Sequence, residues 1–238
     1  MEITGERTVP GVEFENYWFR RHQVVYEWLL AYVSGARVLE AGAGEGYGAG
    51  LMSRLATSVV ALDYDATAAT HAAAAYPGVP VVRGNLVRLP FADASFDLVV
   101  SLQTVEHLWD QEAFVAECLR VLRPGGRFVL STPNRRTFPP GNPFHERELD
   151  AAELRALLSG LGSLELRGVS HGPRLAAWER RHGDLVRAQL AVAPAGWDDD
   201  LRRLVASVST TDFEVNALHD SCLDLVAVVT GPVEREQG

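Results

Sequence analysis

The chain has 238 residues, of which 47% are hydrophobic, and its formal net charge is −9. This length suffices for one α/β domain with a substantial core. The acidic balance argues against nucleic acid as a partner, because phosphate binding requires a basic protein face. No run of 18 apolar residues occurs and the first residues lack a signal-peptide pattern, so we expect a cytoplasmic protein without a membrane span.

The first 33 residues divide into a polar arm and an apolar helix. Residues 1–12 are polar, which predicts a loose arm. Over Glu13–Val33, apolar residues recur at helical spacing and are interrupted by three basic residues at 20–22. This segment is predicted to form a helix that packs over a sheet.

The stretch Arg37–Met52 predicts a buried strand, a tight glycine-rich turn and the start of a helix. The turn contains alternating glycines at positions Gly42, Gly44, Gly46 and Gly48. Glycine is needed where the backbone bends sharply or where a ligand must approach without meeting a Cβ atom. Backbone N–H groups at the start of the following helix would face such a ligand.

The spacing of the glycines and the charge of nearby side chains indicate which ligand this turn binds. A dinucleotide-binding turn requires a glycine where Tyr47 stands, and a G-x-G-x-x-A match beginning at Gly44 is displaced two residues from the strand end. The carboxylates of Glu40 and Glu45 would repel a pyrophosphate. They would attract the ammonium and sulfonium groups of S-adenosylmethionine. A nicotinamide oxidoreductase and a protein that binds the cofactor without catalysis remain as alternatives.

The second strand, Val59–Leu62, ends at Asp63. The separation of Asp63 from Gly42 is close to the roughly 20 residues that place a carboxylate on ribose hydroxyls in a βαβ unit. Asp63 is therefore predicted to contact a ribose, with a turn or helix-capping role as the alternative. A helix over Ala66–Ala75 and a strand over Val79–Arg83 follow.

Two later loops carry candidate chemistry. His107 follows the continuous apolar strand Phe96–Ser101, at the carboxyl edge where open α/β sheets bind ligands. After a helix and the strand Arg127–Ser131 comes a loop that is long for a simple connection, which is typical of function or mobility. This loop contains His145 and Glu146, with capping of the next helix as the alternative role.

The C-terminal part contains an apparent insertion. A strand is predicted over Leu164–Val169 and a last strand over Cys222–Thr230, antiparallel beside it. Between them, residues 171–212 contain two amphipathic segments, about Leu175–Val192 and Asp198–Val208. We interpret them as a helical cap over a substrate mouth in a single domain of residues 1–238. The alternative for the apolar stripe is a homodimer contact.

Taken together, residues 14–170 and the last strand resemble the class I S-adenosylmethionine-dependent methyltransferases. The resemblance is carried by the ordered motifs Glu40–Gly46, Asp63, Gly84–Leu86, Leu89–Phe91, Phe96–Val100 and Leu122–Gly126. It implies a Rossmann-like, doubly wound sheet of seven strands, the last antiparallel, with helices on both faces. It also implies the cofactor S-adenosylmethionine, with S-adenosylhomocysteine as product. The implied cofactor-binding residues are Arg21, Glu40, Gly42, Ala43, Gly44, Gly46, Asp63, Tyr64, Asn85, Leu86, Leu102 and Gln103.

Two segments resemble a subgroup linked with polysaccharide and glycan synthesis. In its N-terminal helix an arginine before an aromatic residue binds the methionyl carboxylate, which implies this role for Arg20 or Arg21, although His22 replaces the aromatic residue. The segment Asn142–His145 resembles one common in the same subgroup. Some relatives bind Mg²⁺ through a Glu-x-x-Glu-His pattern after the fourth strand. Gln103 replaces the first glutamate here, so we expect no metal.

These features favour O-methylation. The Asn-Pro-Pro-Tyr/Phe run that would favour amine methylation is absent after the fourth strand. A hydroxyl acceptor loses its proton as its C–O bond forms, so a nearby base assists. His107 or His145 is the predicted base, and Glu146 is the third candidate. We expect a small or oligomeric sugar acceptor, with a phenolic or quinone precursor as the second choice.

Overall fold

The computed structural model describes residues 8 and 10–231. They form one mixed eight-stranded sheet in the order β3-β2-β1-β4-β5-β8-β6-β7. The strands are β1 Arg37–Ala41, β2 Ser58–Asp63, β3 Val81–Arg83, β4 Phe96–Leu102, β5 Leu122–Pro133, β6 Ser163–His171, β7 Phe213–Ala217 and β8 Asp224–Thr230. Strands β1 to β5 are parallel, whereas β8 runs antiparallel to both β5 and β6, and β7 runs antiparallel to β6.

Helices cover both faces of the sheet. They are α1 Asn16–Leu29, α2 Tyr47–Met52, α3 Ala66–Ala75, α4 Gln111–Val121, α5 Ala151–Leu157, α6 Pro173–His182, α7 Leu185–Leu190 and α8 Asp199–Ser207. Successive strand residues point to opposite faces, so Val38 joins the apolar cluster beneath α1 while Leu39 joins the cluster beneath α4. The Rossmann-like, doubly wound architecture predicted from the sequence is confirmed.

The predicted number of seven strands is wrong, because the structure has an eighth, β7, at the sheet edge. Strand β7 pairs only with β6 among the described residues, and its sequence combines the buried Phe213 with the exposed Glu214. A short edge strand buries little apolar area, so its sequence pattern is weak. The predicted last strand is shorter than expected, beginning at Asp224, and it lies between β5 and β6.

Three helices, not two segments, lie between β6 and β7. The first predicted segment is divided at Gly183, which has a φ of 92° and ends α6. The Asp184 side chain then caps α7 by accepting a hydrogen bond from the Arg187 N–H group. The Asn16 amide at the start of α1 donates hydrogen bonds to the Val205 and Val208 carbonyls, which anchors the end of α8.

The predicted arm at residues 1–12 lies mostly outside the described residues, as does the polar tail after residue 231. Within the described part of the chain, no helix is both long and apolar enough to cross a bilayer. The two cysteines, Cys118 and Cys222, are buried free thiols.

A buried ion pair joins α1 to β8. The Arg21 Nε atom donates to Asp224 Oδ2 over 2.6 Å, and Nη2 donates to Asp224 Oδ1 over 2.5 Å and to the Leu223 carbonyl over 2.8 Å. Both side chains are at most 2% exposed. The sequence analysis predicted that Arg20 or Arg21 binds the methionyl carboxylate of the cofactor. In the structure, Nε and Nη2 of Arg21 bind the protein instead, whereas Nη1 has no hydrogen-bond partner among the described residues, so this role stays a prediction.

We predict that Asp224→Ala lowers the free energy of unfolding by about 3–5 kcal/mol, because it leaves Arg21 buried without its carboxylate. The double variant Arg21→Met/Asp224→Leu should lose much less, since neither charge remains. Asp199→Ala, which removes half of an exposed ion pair with Arg202, should change stability by less than about 1 kcal/mol. Urea unfolding measures all three values, and equal losses for the single and double variants would contradict the prediction.

Candidate active site

The glycine loop bends sharply between β1 and α2. Gly42 has a φ of 86°, and a Cβ atom there would collide with the Thr104 side chain. The N–H groups of Gly42 and Ala43 donate to the Leu62 carbonyl over 2.9 and 3.0 Å. Only glycine combines this left-handed backbone with so close a neighbour.

Asp63 connects the loop to the end of β2. Its Oδ2 atom accepts a 2.7 Å hydrogen bond from the Gly44 N–H group, and Oδ1 accepts a 2.9 Å bond from the Asp65 N–H group. The residue as a whole is 9% exposed. Asp63 therefore sets the shape of the loop as well as offering oxygen atoms to a ligand.

A cavity of about 260 Å³, here called the loop cavity, lies between the glycine loop and the ends of β2 and β4. Most of the predicted cofactor-binding residues line it: Gly42, Ala43, Gly44, Asp63, Tyr64, Leu86, Leu102 and Gln103. The sequence prediction missed Asp65, Thr104 and Leu108, although each is within a few residues of a predicted one. Leucine walls suit an adenine ring, and the carboxylates at one end suit ribose hydroxyls, so the residues present fit an adenosyl cofactor.

Four predicted cofactor residues do not line the loop cavity. Arg21 lies in the ion pair described above, and Gly46 caps α2 with its φ of 81°. Asn85 is exposed, and its Oδ1 atom accepts from the Val87 N–H group over 3.0 Å. Glu40 is fully buried beneath the loop. The sequence shows these residues close to the motif, but it does not show which side chains turn away.

The carboxyl group of Glu40 is hydrogen-bonded within the core. The Tyr26 hydroxyl donates to its Oε1 atom over 2.5 Å. Burial raises the pKa of Glu40 to about 8, although the hydrogen bonds from Tyr26 and the Ala49 backbone oppose this rise. The expectation that its negative charge attracts the cofactor is therefore not supported, because near neutral pH the folded protein favours the protonated carboxyl.

A second cavity of about 490 Å³, here called the acceptor-side cavity, adjoins the first. Both cavities are lined by Thr8, His22, Gln103 and His107. The remaining walls come from residues 14–21, from Glu106, from residues 133–145 and from residues 189–197. They include the aromatic side chains of Phe14, Trp18, Phe138 and Trp197.

Gln103 forms part of the wall between the two cavities. It is a non-glycine residue with a φ of 52°, a conformation that costs free energy and that surrounding contacts must hold. Its backbone N–H group donates to the Ser131 carbonyl over 2.9 Å, and its amide nitrogen donates to the Ser131 hydroxyl over 3.1 Å. Backbone strain at this point indicates a functional position.

The predicted bases His107 and His145 lie together, with ring centres 5.0 Å apart. The His107 Nδ1 atom lies 2.8 Å from the Phe144 carbonyl, so Nδ1 carries the hydrogen and the lone pair is on Nε2. The His145 Nδ1 atom lies 2.8 Å from Glu148 Oε1, and its Nε2 atom lies 3.0 Å from the Asn142 amide nitrogen. Both rings line the acceptor-side cavity.

Glu106 lines the same cavity as the two histidines, whereas Glu146 does not. Glu106 is 1% exposed, lines the acceptor-side cavity and accepts from the Thr132 hydroxyl over 3.1 Å. Burial raises its pKa to about 8. The Glu146 side chain is exposed and lies outside the cavity lining, and only its backbone N–H group bonds to the Glu106 carbonyl. The structure therefore corrects the prediction of Glu146 as a catalytic candidate.

We predict that Glu40→Gln flattens the pH dependence of stability. The raised pKa means that the folded state binds one more proton than the unfolded state between about pH 4.5 and 8, so stability falls as pH rises through this range. Glutamine mimics the neutral carboxyl, so the substitution removes the contribution of Glu40 to the decrease in stability with pH. Glu106 contributes equally to both proteins, so the difference isolates Glu40. Urea unfolding from pH 5 to 9 is the measurement, and parallel curves for the two proteins would contradict the prediction.

Asp63→Ala is predicted to raise the dissociation constant of S-adenosylhomocysteine at least about tenfold. The change removes a carboxylate from the loop cavity and releases the Gly44 N–H group; hydrogen bonds to a charged group contribute about 1.5–3 kcal/mol. Calorimetry measures the constant, and Asp93→Ala, an exposed aspartate outside the cavity lining, serves as the control. Unchanged binding in Asp63→Ala would exclude Asp63 from the site.

The comparisons with known proteins agree with this geometry. Residues 39–130 match a family described as "Methyltransferase domain". A protein of Mycolicibacterium smegmatis named "Probable S-adenosylmethionine-dependent methyltransferase" is 52% identical over 98% of this chain and 96% of its own length. A "Ubiquinone biosynthesis O-methyltransferase" of Rhizobium etli is 31% identical over 68% of this chain and 75% of its own length.

Solved structures show the same fold. A Thermotoga maritima structure titled "SAM-dependent methyltransferase, possible histamine N-methyltransferase" superposes with a TM-score of 0.63, at 19% identity. The superposition covers 90% of this chain and 92% of that one. At this identity the likeness concerns the fold alone, whereas the 52% identical relative establishes the family. The chain belongs to the S-adenosylmethionine-dependent methyltransferases, and its cofactor is S-adenosylmethionine.

Proposed function

We propose that this methyltransferase modifies a hydroxyl group of a sugar, an oligosaccharide or a similarly polyhydroxylated acceptor. The observation that carries the proposal is that His107 lines both the loop cavity and the acceptor-side cavity. A group held in one cavity therefore meets a group held in the other beside an imidazole. Positioning of this kind supplies a large part of the catalysis in an in-line displacement.

The acceptor-side cavity combines flat apolar surfaces with amide groups. Trp18, Phe138 and Trp197 supply ring surfaces, and Gln103, Asn142 and Gln189 supply amides. This combination suits a sugar, whose C–H faces pack on aromatic rings while its hydroxyls bind planar polar groups. The buried Gln189 Oε1 atom accepts no hydrogen bond from any described residue, and a hydroxyl of the acceptor would satisfy it.

His107 is the general base that accepts the proton of the acceptor hydroxyl. Bound S-adenosylmethionine supplies a methyl group already activated by a sulfonium leaving group. The residues of the chain must then orient the hydroxyl and remove its proton. The Phe144 carbonyl holds the hydrogen of His107 on Nδ1, so Nε2 is the atom that can accept a proton. A general base of this type contributes about 10²–10⁴-fold to the rate.

A phenolic or quinone precursor is the second candidate. The 31% identical relative from Rhizobium etli is named a ubiquinone biosynthesis O-methyltransferase, and an aromatic acceptor would also pack against Trp18 and Phe138. Both candidates require the same proton removal. They differ in the number of hydroxyls that the cavity must bind.

Transfer of a labelled methyl group from S-adenosylmethionine tests the proposal. The acceptor panel consists of mono- and oligosaccharides, dihydroxybenzoates and primary amines, with product analysis by mass spectrometry. We expect O-methyl sugars. Methylation of dihydroxybenzoates alone would favour the second candidate, and methylation of amines alone would overturn both.

We predict that His107→Ala lowers turnover by about 10²–10⁴-fold while the dissociation constant of S-adenosylhomocysteine changes less than about twofold. The base acts on the acceptor, whereas most of the loop cavity is formed by other residues. Glu146→Gln is the matched control and should retain the wild-type rate, because its side chain is exposed and outside the cavity. A full rate in His107→Ala would contradict the assignment of His107, and a rate loss in Glu146→Gln would contradict the placement of Glu146.

A further inference from the structure

We propose that Arg21 and Gln189 are specificity-determining residues that bind non-reacting hydroxyl groups of the acceptor. Both residues line the acceptor-side cavity, and neither lines the loop cavity. Each contains one buried polar atom that has no hydrogen-bond partner among the described residues, namely Arg21 Nη1 and Gln189 Oε1. The proposal rests on the O-methylation proposed above and describes how the rest of the acceptor is recognised.

The ion pair with Asp224 fixes the guanidinium group of Arg21 and leaves one nitrogen over. The Nε and Nη2 atoms donate to Asp224 and to the Leu223 carbonyl, whereas Nη1 has no such partner among the described residues. The guanidinium carbon lies 5.4 Å from the centre of the Trp18 ring, and Trp18 also lines the cavity. A hydrogen-bond donor therefore lies beside a flat apolar wall of the acceptor-side cavity.

The Gln189 side chain is held in place by its own helix. Its Nε2 atom donates to the Leu185 carbonyl over 3.2 Å, which orients the amide and leaves Oε1 over. The Gln189 backbone carbonyl accepts from Trp197 Nε1, also over 3.2 Å. Gln189 is 4% exposed, so folding removes water from Oε1 and the described residues supply no other donor. A ligand that donates to this atom would satisfy it.

The two unpartnered atoms have opposite hydrogen-bonding character, which indicates the chemistry of the ligand. A guanidinium nitrogen can only donate, and an amide oxygen can only accept. A hydroxyl group does both, so hydroxyls alone can satisfy both atoms. A carboxylate would serve Arg21 only, and an ammonium group would serve Gln189 only. The pair therefore favours a polyhydroxylated acceptor over an acidic or a basic one.

The positive charge of Arg21 does not require an anionic acceptor. Asp224 already balances this charge through hydrogen bonds of 2.5 and 2.6 Å, and both side chains are at most 2% exposed. An acidic acceptor would bring a second carboxylate out of water and next to Asp224, which is costly in a buried site. A neutral hydroxyl meets no such cost.

The proposed contacts are separate from the reacting hydroxyl. His107 and Gln103 line both cavities, whereas Arg21 and Gln189 line the acceptor-side cavity only. The sequence analysis implied that Arg20 or Arg21 binds the methionyl carboxylate. We assign Nη1 of Arg21 to the acceptor instead, because Arg21 is not part of the lining of the loop cavity. Contacts to a non-reacting part of a substrate help to position its reacting group.

Two substitutions remove the contacts one at a time. Arg21→Lys keeps a positive charge for Asp224 but has no forked donor, and Gln189→Met keeps the side-chain length without the amide oxygen. We expect kcat/KM with sugars to fall about 10- to 100-fold in Arg21→Lys and at least about fivefold in Gln189→Met. The dissociation constant of S-adenosylhomocysteine should change less than about twofold in both variants.

Arg174→Lys and Gln23→Met are the matched controls and should retain the wild-type kcat/KM. Arg174 binds Asp212 through Nε and Nη2, each over 2.6 Å, with the same two-pronged geometry as Arg21 and Asp224. Neither Arg174 nor Gln23 lines either cavity.

The probes are glucose, galactose, mannose, maltose and cellobiose, together with monodeoxy analogues of the sugar that reacts best, and catechol with phenol. Transfer of labelled methyl groups gives kcat/KM. The analogue that lacks the bound hydroxyl should be a poor substrate of the wild type, and it should react equally well with Gln189→Met. An equal penalty of Gln189→Met on every analogue would overturn the proposal, because it would reveal a structural effect only.

Wild-type kcat/KM for sugars in both variants would overturn the proposal and leave the proposed function standing. Binding of S-adenosylhomocysteine at least about tenfold weaker in Arg21→Lys would also overturn it and would assign Nη1 to the methionyl carboxylate. If Arg21→Lys does not fold, Arg21→Met/Asp224→Leu takes its place and should show the same loss of kcat/KM.

A failure of the proposed function would look different. Transfer to catechol and to no sugar would overturn the sugar acceptor. The assignment of Gln189 would then stand only if Gln189→Met lowers transfer to catechol and not to phenol. Transfer to no hydroxyl acceptor would overturn both proposals.

Discussion

The hydrogen bond between the Asp63 carboxylate and the Gly44 N–H group is the constraint on which the site depends. It joins the end of β2 to the glycine loop after β1 over 2.7 Å, while Thr104 after β4 leaves no room for a Cβ atom at Gly42. The loop is therefore held from both neighbouring strands. Because parallel strands end at one edge of the sheet, these contacts also fix where the cavity opens.

The core of the fold could be predicted from the sequence because its signals are local. Strands buried on both faces give mostly apolar runs, as in Phe96–Leu102, and the glycine loop requires glycines at positions where other residues would clash or be strained. β7 could not be predicted, because an edge strand with an exposed face has a weak pattern. The break at Gly183 was missed because the periodicity of α6 and α7 continues across it.

The part of the candidate site that the glycine loop forms could also be predicted, because its signal is a local sequence motif. Backbone-lined positions such as Gly42 and Ala43 follow from the motif, and they line the loop cavity. The motif does not determine where side chains point. The contact of Glu40 with Tyr26 and the pairing of Arg21 with Asp224 could therefore not be predicted from it. The approach of His145 to His107 is a long-range contact, and no local pattern in a single sequence encodes it.

The pairing of Arg21 with Asp224 has a consequence for biogenesis. The partners are 203 residues apart in the chain, and β8 occupies an interior position between β5 and β6. The N-terminal helix α1 lines the acceptor-side cavity. It can therefore reach its final packed position only after β8 has left the ribosome. Until then the nascent protein exposes the apolar face of α1 and an open gap in its sheet, the kind of surface that chaperones bind. The enzyme can acquire its glycine loop early during synthesis, but its acceptor pocket is completed last.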